Sequence, residues 1–151
     1  MQNKILTCEK QEGDKMKRDL YFCGDVHGDW NRLIWTIITR YNIRNSDIVI
    51  LGDFGIGFDN TFSDWYERKG KKLEEVDDTI YVMRGNHDDP SYFKNPKNDE
   101  HPRVIFLEDH KVVNIAGYEI YPIGGASSTD VLYRQEINEE RILKNKIFGW
   151  M

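Results

Sequence analysis

The stretch Leu20 to Trp30, LYFCGDVHGDW, decides how this chain folds. An apolar run, Leu20 to Cys23, stops at Gly24-Asp25, and His27 follows with one residue between. An apolar run bounded by glycine reads as a buried strand. Asp25 and His27 then stand just past its carboxyl end, where open α/β sheets place their ligands. A carboxylate and an imidazole together suit a divalent ion such as Zn, Mn or Fe. Gly24 and Gly28 let the chain turn sharply and let a ligand approach the backbone.

The pattern recurs twice. Ile48 to Leu51 is a second apolar run and ends in Gly52-Asp53. Ile80 to Met83 is a third, and after Arg84 comes Gly85-Asn86-His87-Asp88. A lone Asp-x-His is ordinarily a solvated turn. Three strand-like runs that each deliver oxygen or nitrogen donors at the same end are hard to read as the turns of a metal-free α/β domain.

The blocks GDVHG at 24–28, GDFG at 52–55 and GNHD at 85–88 resemble, in order and spacing, the first three signature blocks of the calcineurin-like metallophosphoesterases. The resemblance covers Asp19 to Asp130. It implies an α/β fold (α+β in some schemes), a sandwich of two mixed sheets flanked by helices. It also implies a hydrolase acting on phosphate esters with two divalent ions, Mn, Fe or Zn, roughly 3.5–4 Å apart. By the same resemblance Asp53 bridges the two ions, Asp25 and His27 hold the first, and Asn86 holds the second through its amide oxygen. His87 protonates the leaving group, and Asp88 orients His87. Arg84 either touches the substrate phosphate or pairs with a surface acid. The expected substrate is a phosphorylated small molecule, a nucleotide or a phosphoprotein.

Two departures qualify this. The phosphoprotein-phosphatase branch carries GDxVDRG and GNHE, whereas this chain has GDFGIGFD and GNHDD, so that branch's phosphate-binding arginine has no counterpart here. The family also completes its site with three more histidines, one in a GH and two in a GHxH block. This chain has four histidines in all, His27, His87, His101 and His110, and the last two lack a Gly-His context. His101, in a proline-rich loop, and His110, in a turn, read as solvated. The metal site is thus expected to be incomplete within this chain, and the apolar ending Phe148-Gly149-Trp150-Met151 reads as an interruption. The competing reading is a catalytically degenerate homologue that binds metal or a partner without turnover.

Composition sets the bounds. With 151 residues the chain is long enough for one domain with a core. A hydrophobic content of 39% and a net charge of −5 give no reason to expect a membrane or a nucleic-acid partner. Two cysteines, Cys8 and Cys23, make no disulfide framework, and a cytoplasmic setting is the expectation. Cys23 is read as a small buried hydrophobe. Residues 1–18 form a polar leader and 19–151 a single domain. Apolar faces left uncovered by a truncated second sheet favour self-association.

Between the blocks, Asp29 to Arg40 reads as a helix capped by Asp29, with Trp30, Leu33, Ile34, Ile37 and Ile38 as its apolar face. Trp30 is taken as a core anchor. Ser63 to Val76 reads as a second helix, weakened at Gly70. Its basic cluster, Arg68, Lys69, Lys71 and Lys72, is a solvated face or a phosphate or partner contact. Pro90 to Pro102 is a loop with a helical turn near Tyr92. Val104–Leu107, Lys111–Ile115 and Tyr118–Ile123 read as strands, with Ala116-Gly117 turning a hairpin. Gly124-Gly125 brings a further loop, with Ser127, Ser128 and Asp130, toward the site, and Ser128 or Thr129 caps a last helix running to about Lys146.

Overall fold

The computed structural model describes residues 18–57 and 61–125. Four strands, β1 (Asp19–Cys23), β2 (Ser46–Ile50), β3 (Thr79–Val82) and β4 (Val104–Phe106), form one parallel sheet in the order β1-β2-β3-β4. A parallel neighbour requires a crossover. The first is α1 (Trp30–Ile34), continued by a π-helical stretch, Trp35–Arg40. The second is α2 (Thr61–Lys69) with α3 (Lys71–Glu75), and the third is α4 (Ser91–Lys94) with a 3-10 turn, Asn98–Glu100. Each strand lies beside its successor, so right-handed crossovers put all three helical layers on one face.

Side-chain alternation along the strands sorts the core into two halves. Ile48, Ile50, Ile80, Val82, Val104 and Phe106 meet the helices' Trp30, Leu33, Ile37, Phe62, Trp65, Leu73 and Phe93. The intervening Val49, Tyr81 and Ile105 share a row across the strands and face the other way. There they meet Ile115, with Val113 and Ile120 packed alongside. These come from β5 (Val113–Ile115) and β6 (Tyr118–Ile120), an antiparallel pair forming the second sheet. Its turn residues Ala116 and Gly117 have φ of 51° and 85°, as a two-residue hairpin of the expected type demands. The two sheets and the helices on one side bear out the α/β expectation. Among the described residues the mixture lies between the sheets, one parallel and one antiparallel, rather than within either.

Several expectations are corrected. The first strand is not buried: among the described residues it is an edge of the sheet, and Phe22 is 60% exposed. The internal β2, by contrast, is buried at every position. Cys23 is half-buried, and burial pushes its thiol pKa up. The helix over 63–76 is two helices that meet at Gly70, whose N–H still donates to the Tyr66 carbonyl four residues back at 2.7 Å and where a Cβ would run into the Tyr66 ring. The first helix carries its expected cap, Asp29 Oδ1 accepting from the Arg32 N–H at 3.1 Å, but widens to π geometry at Trp35. The last helix and the residues expected to cap it lie outside the described residues, as do Ser127 and Asp130.

His101 is the clearest correction. It is 8% exposed, with its ring centroid 4.9 Å from those of both Phe62 and Tyr66. Burial lowers its pKa below the ordinary 6.5, with Glu100 opposing weakly. A neutral ring therefore stabilises the fold fully above about pH 6.5, and that contribution is lost as pH falls through the folded value. Urea melts between pH 7.5 and 5 are expected to show wild type losing more stability than His101→Gln. Parallel losses in the two proteins would mean that another group titrates.

At the amino ends of the strands a different polar cluster closes the sheet. Arg18 binds Asp47 at 2.9 Å and Asp77 at 2.9 Å, and Arg103 binds the other Asp77 oxygen at 2.9 Å. The Arg103 hydrogen bond leads the causes that lower the Asp77 pKa. Among the described residues, no helix is long and apolar enough to cross a membrane.

Candidate metal centre

The three glycine-rich loops leave the carboxyl ends of β1, β2 and β3 side by side. Beyond the strands, pairing continues: the Asp53 carbonyl accepts the N–H groups of Val26 at 3.1 Å and His27 at 2.8 Å, and Phe54 O accepts that of Gly28 at 3.0 Å. The Trp30 indole N–H reaches the same Phe54 oxygen at 2.9 Å. The core anchor thus also fixes the loop that carries Asp53. Two close approaches permit only glycine. A Cβ on Gly85 would run into the Asp53 amide and carboxylate. One on Gly55, where φ is +83°, would come within 2.9 Å of the His27 carbonyl carbon.

This lacing brings Asp25, His27 and Asp53 together, with ligand atoms all within 4.8 Å of one another. His27 Nε2 lies 3.7 Å from Asp25 Oδ2 and 4.0 Å from Asp53 Oδ2. Asp53 divides its carboxylate: Oδ1 accepts the His87 backbone N–H at 2.9 Å, while Oδ2 faces His27. The His87 ring stands edge-on to His27 with centroids 5.2 Å apart, so the third loop joins the same cluster. His27 and Asp53 both hold positive φ, 49° and 50°. A non-glycine residue there costs energy and persists where the surroundings impose it, which is common at functional sites. Two carboxylates and one imidazole, with no Lys or Arg ion-paired to them among the described residues, make a donor set that fits a divalent cation.

Asp88 is 3% exposed and gives its oxygens to the backbone. Oδ1 accepts from Gly55 at 2.7 Å and Ile56 at 3.2 Å; Oδ2 accepts from Phe54 at 3.2 Å and Gly85 at 2.8 Å. The Asp88 carboxylate thus clamps the second and third loops together. Arg84 Nε meets Asp109 Oδ2 at 2.7 Å, and Nη2 donates to Gly124 O at 2.7 Å. Asp109 Oδ1 in turn accepts the Gly124 N–H at 3.0 Å. Nothing in the sequence marks Asp109, since an acid in a turn between two strand-like runs is ordinarily solvated. Asn86 stands half-buried between Gly85 and His87.

The remaining histidines are elsewhere. His101 is in the aromatic core, and His110 is exposed beside the Tyr121 hydroxyl at 3.3 Å. A family model described as calcineurin-like phosphoesterase matches residues 19–148. No curated protein matches the chain.

Proposed function

This chain belongs to the calcineurin-like phosphoesterase family, and on that premise we propose that it hydrolyses phosphate esters by a two-metal mechanism. The observation that carries this reading is the convergence of Asp25, His27 and Asp53 within 4.8 Å at the carboxyl ends of adjacent parallel strands. In the proposal Asp25 and His27 hold one divalent ion, Asn86 the other, and Asp53 both. Ions bound there would neutralise the anionic phosphoryl group and make water a better nucleophile. Mn, Fe and Zn all suit the donors.

The side chains have distinct tasks. His87 gives a proton to the departing oxygen; its backbone N–H, fixed on Asp53, holds its loop against the metal ligands. Asp88 keeps the Asp53 loop and the His87 loop in register through four backbone bonds. Arg84, held by Asp109 and Gly124, serves as a positioning residue for the loop at 124–125. The substrate is a phosphorylated small molecule, a nucleotide or a phosphoprotein. The proposal takes residues 19–151 as one domain after a leader, working in the cytoplasm.

The histidine count favours a second element of the proposal. All four histidines are placed, and two of them sit away from the cluster. Among the described residues the second ion then has Asp53 and Asn86, and a neutral amide oxygen is a poor anchor for a transition metal. Residues 1–151 with Mn²⁺ are therefore expected to bind one ion well, to turn over an aryl phosphate far more slowly than roughly 1 per second, and to self-associate in solution. Metal analysis, a hydrolysis assay and sizing test this together. A monomer holding two ions and working at ordinary enzyme rates would sink the incomplete-site reading. Tight binding of one ion with no turnover at all would favour the degenerate homologue.

A further inference from the structure

A second concavity lies in the helical layer. The flank of α1 and its π-helical continuation, and the flank of α2 and α3, enclose a groove of about 550 Å³, a volume ordinary for small-ligand sites. Its residues recur at helical spacing on both sides: Asn31, Trp35 and Ile38 on one, Trp65, Arg68 and Lys72 on the other. Ile34 and Trp65, both buried, form an apolar floor, and the Trp65 indole N–H is held by Asn31 Oδ1 at 3.3 Å.

The rims differ in chemistry. One carries the Trp35 ring, 53% exposed. The other carries Arg68, Lys69 and Lys72, with no carboxylate among the lining residues. Arg68 is pre-ordered, its Nε donating to the Asp64 carbonyl at 2.9 Å. Cations in the last turn of a helix complement its dipole, and a basic helix face is often merely solvated. Neither explains an exposed indole across from them, nor why Glu67, Glu74 and Glu75 on the same helices stay off the groove of a chain whose net charge is −5. The Trp35 rim also begins the π-helical stretch, a geometry frequent at functional sites.

We propose that this groove binds a nucleotide, with its base stacked on Trp35 and its phosphates on Arg68, Lys69 and Lys72. Stacking accepts any base, and compact cations suit phosphate oxygens. The groove shares no residue with the metal cluster, so the proposal stands apart from the hydrolytic reading.

The test titrates ADP into the full 151-residue chain in EDTA, followed by tryptophan fluorescence and calorimetry. Saturable binding is expected. Trp35→Ala, and separately Lys69→Glu with Lys72→Glu, are expected to weaken it roughly tenfold while the melting temperature holds, and Asp53→Asn to leave it unchanged. Four results would overturn the proposal. ADP could fail to saturate at millimolar concentration. Pyrophosphate could bind as tightly as ADP with Trp35→Ala indifferent, the mark of a plain anion patch. A single-stranded oligonucleotide could displace ADP with steep salt dependence, making the groove a nucleic-acid track. Asp53→Asn could abolish binding, placing ADP in the metal centre.

Discussion

Asp88→Ala is expected to lower the unfolding free energy by about 3–5 kcal/mol. The carboxylate is buried and accepts four backbone N–H groups, from Phe54, Gly55, Ile56 and Gly85. Alanine fills none of that space and leaves four donors without an acceptor, two of them, on Phe54 and Ile56, in buried surroundings. Bonds to a charged acceptor are stronger than neutral ones, but they share one carboxylate, so their losses do not add in full. Asp88→Asn is expected to fall between the two, since one amide oxygen can serve two of the donors while the NH₂ faces the others. Metal affinity should fall as well, by roughly 10–100-fold, as it does when a partner behind a ligand is removed. Urea unfolding and Mn²⁺ titration of both variants measure this. A loss under about 1 kcal/mol in Asp88→Ala would show that the two loops keep their register without the clamp.

The second large effect is at Asp53. Asp53→Asn is expected to weaken Mn²⁺ binding by roughly 100-fold or more and Asp25→Asn by roughly tenfold, the span over which metal sites respond to altered partners. The difference has two causes. In the proposed function Asp53 serves both ions and Asp25 only one. Their surroundings differ too: the Asp53 side chain is 14% exposed and that of Asp25 67%, so the Asp53 charge acts through a lower effective dielectric. Asparagine at 53 still offers an oxygen to the His87 N–H, so the melting temperature of the apoprotein should barely move. Equal, small effects of the two substitutions on Mn²⁺ affinity would remove Asp53 from its central place.

Much of this was legible in the sequence because strand ends announce themselves locally. An apolar run, a glycine and a donor suffice to put Asp25, His27 and Asp53 at one edge, and the apolar spacing around Trp30 suffices to seat the first helix. What escaped depends on partners distant in the chain. Asp88 meets a backbone more than 30 residues away, and a carboxylate carries no mark of which N–H groups it will find. His101 looked solvated among prolines and charges, yet Phe62 and Tyr66 enclose it. The exposure of Phe22 follows from β1 having, among the described residues, a neighbour on one side only, which the apolar run itself cannot reveal.

The strand order has a kinetic consequence. Each strand pairs with the next one synthesised, so the sheet can grow from its amino-terminal edge without waiting for distant chain. The donors at Asp25, His27 and Asp53 would meet once β2 docks on β1, before β4 or the hairpin exists. An ion captured at that moment would close the first crossover early and offset part of its entropy. Refolding of the full chain is accordingly expected to accelerate when Mn²⁺ is present from the start. Identical rates with and without the ion would place assembly of the cluster after the rate-limiting step.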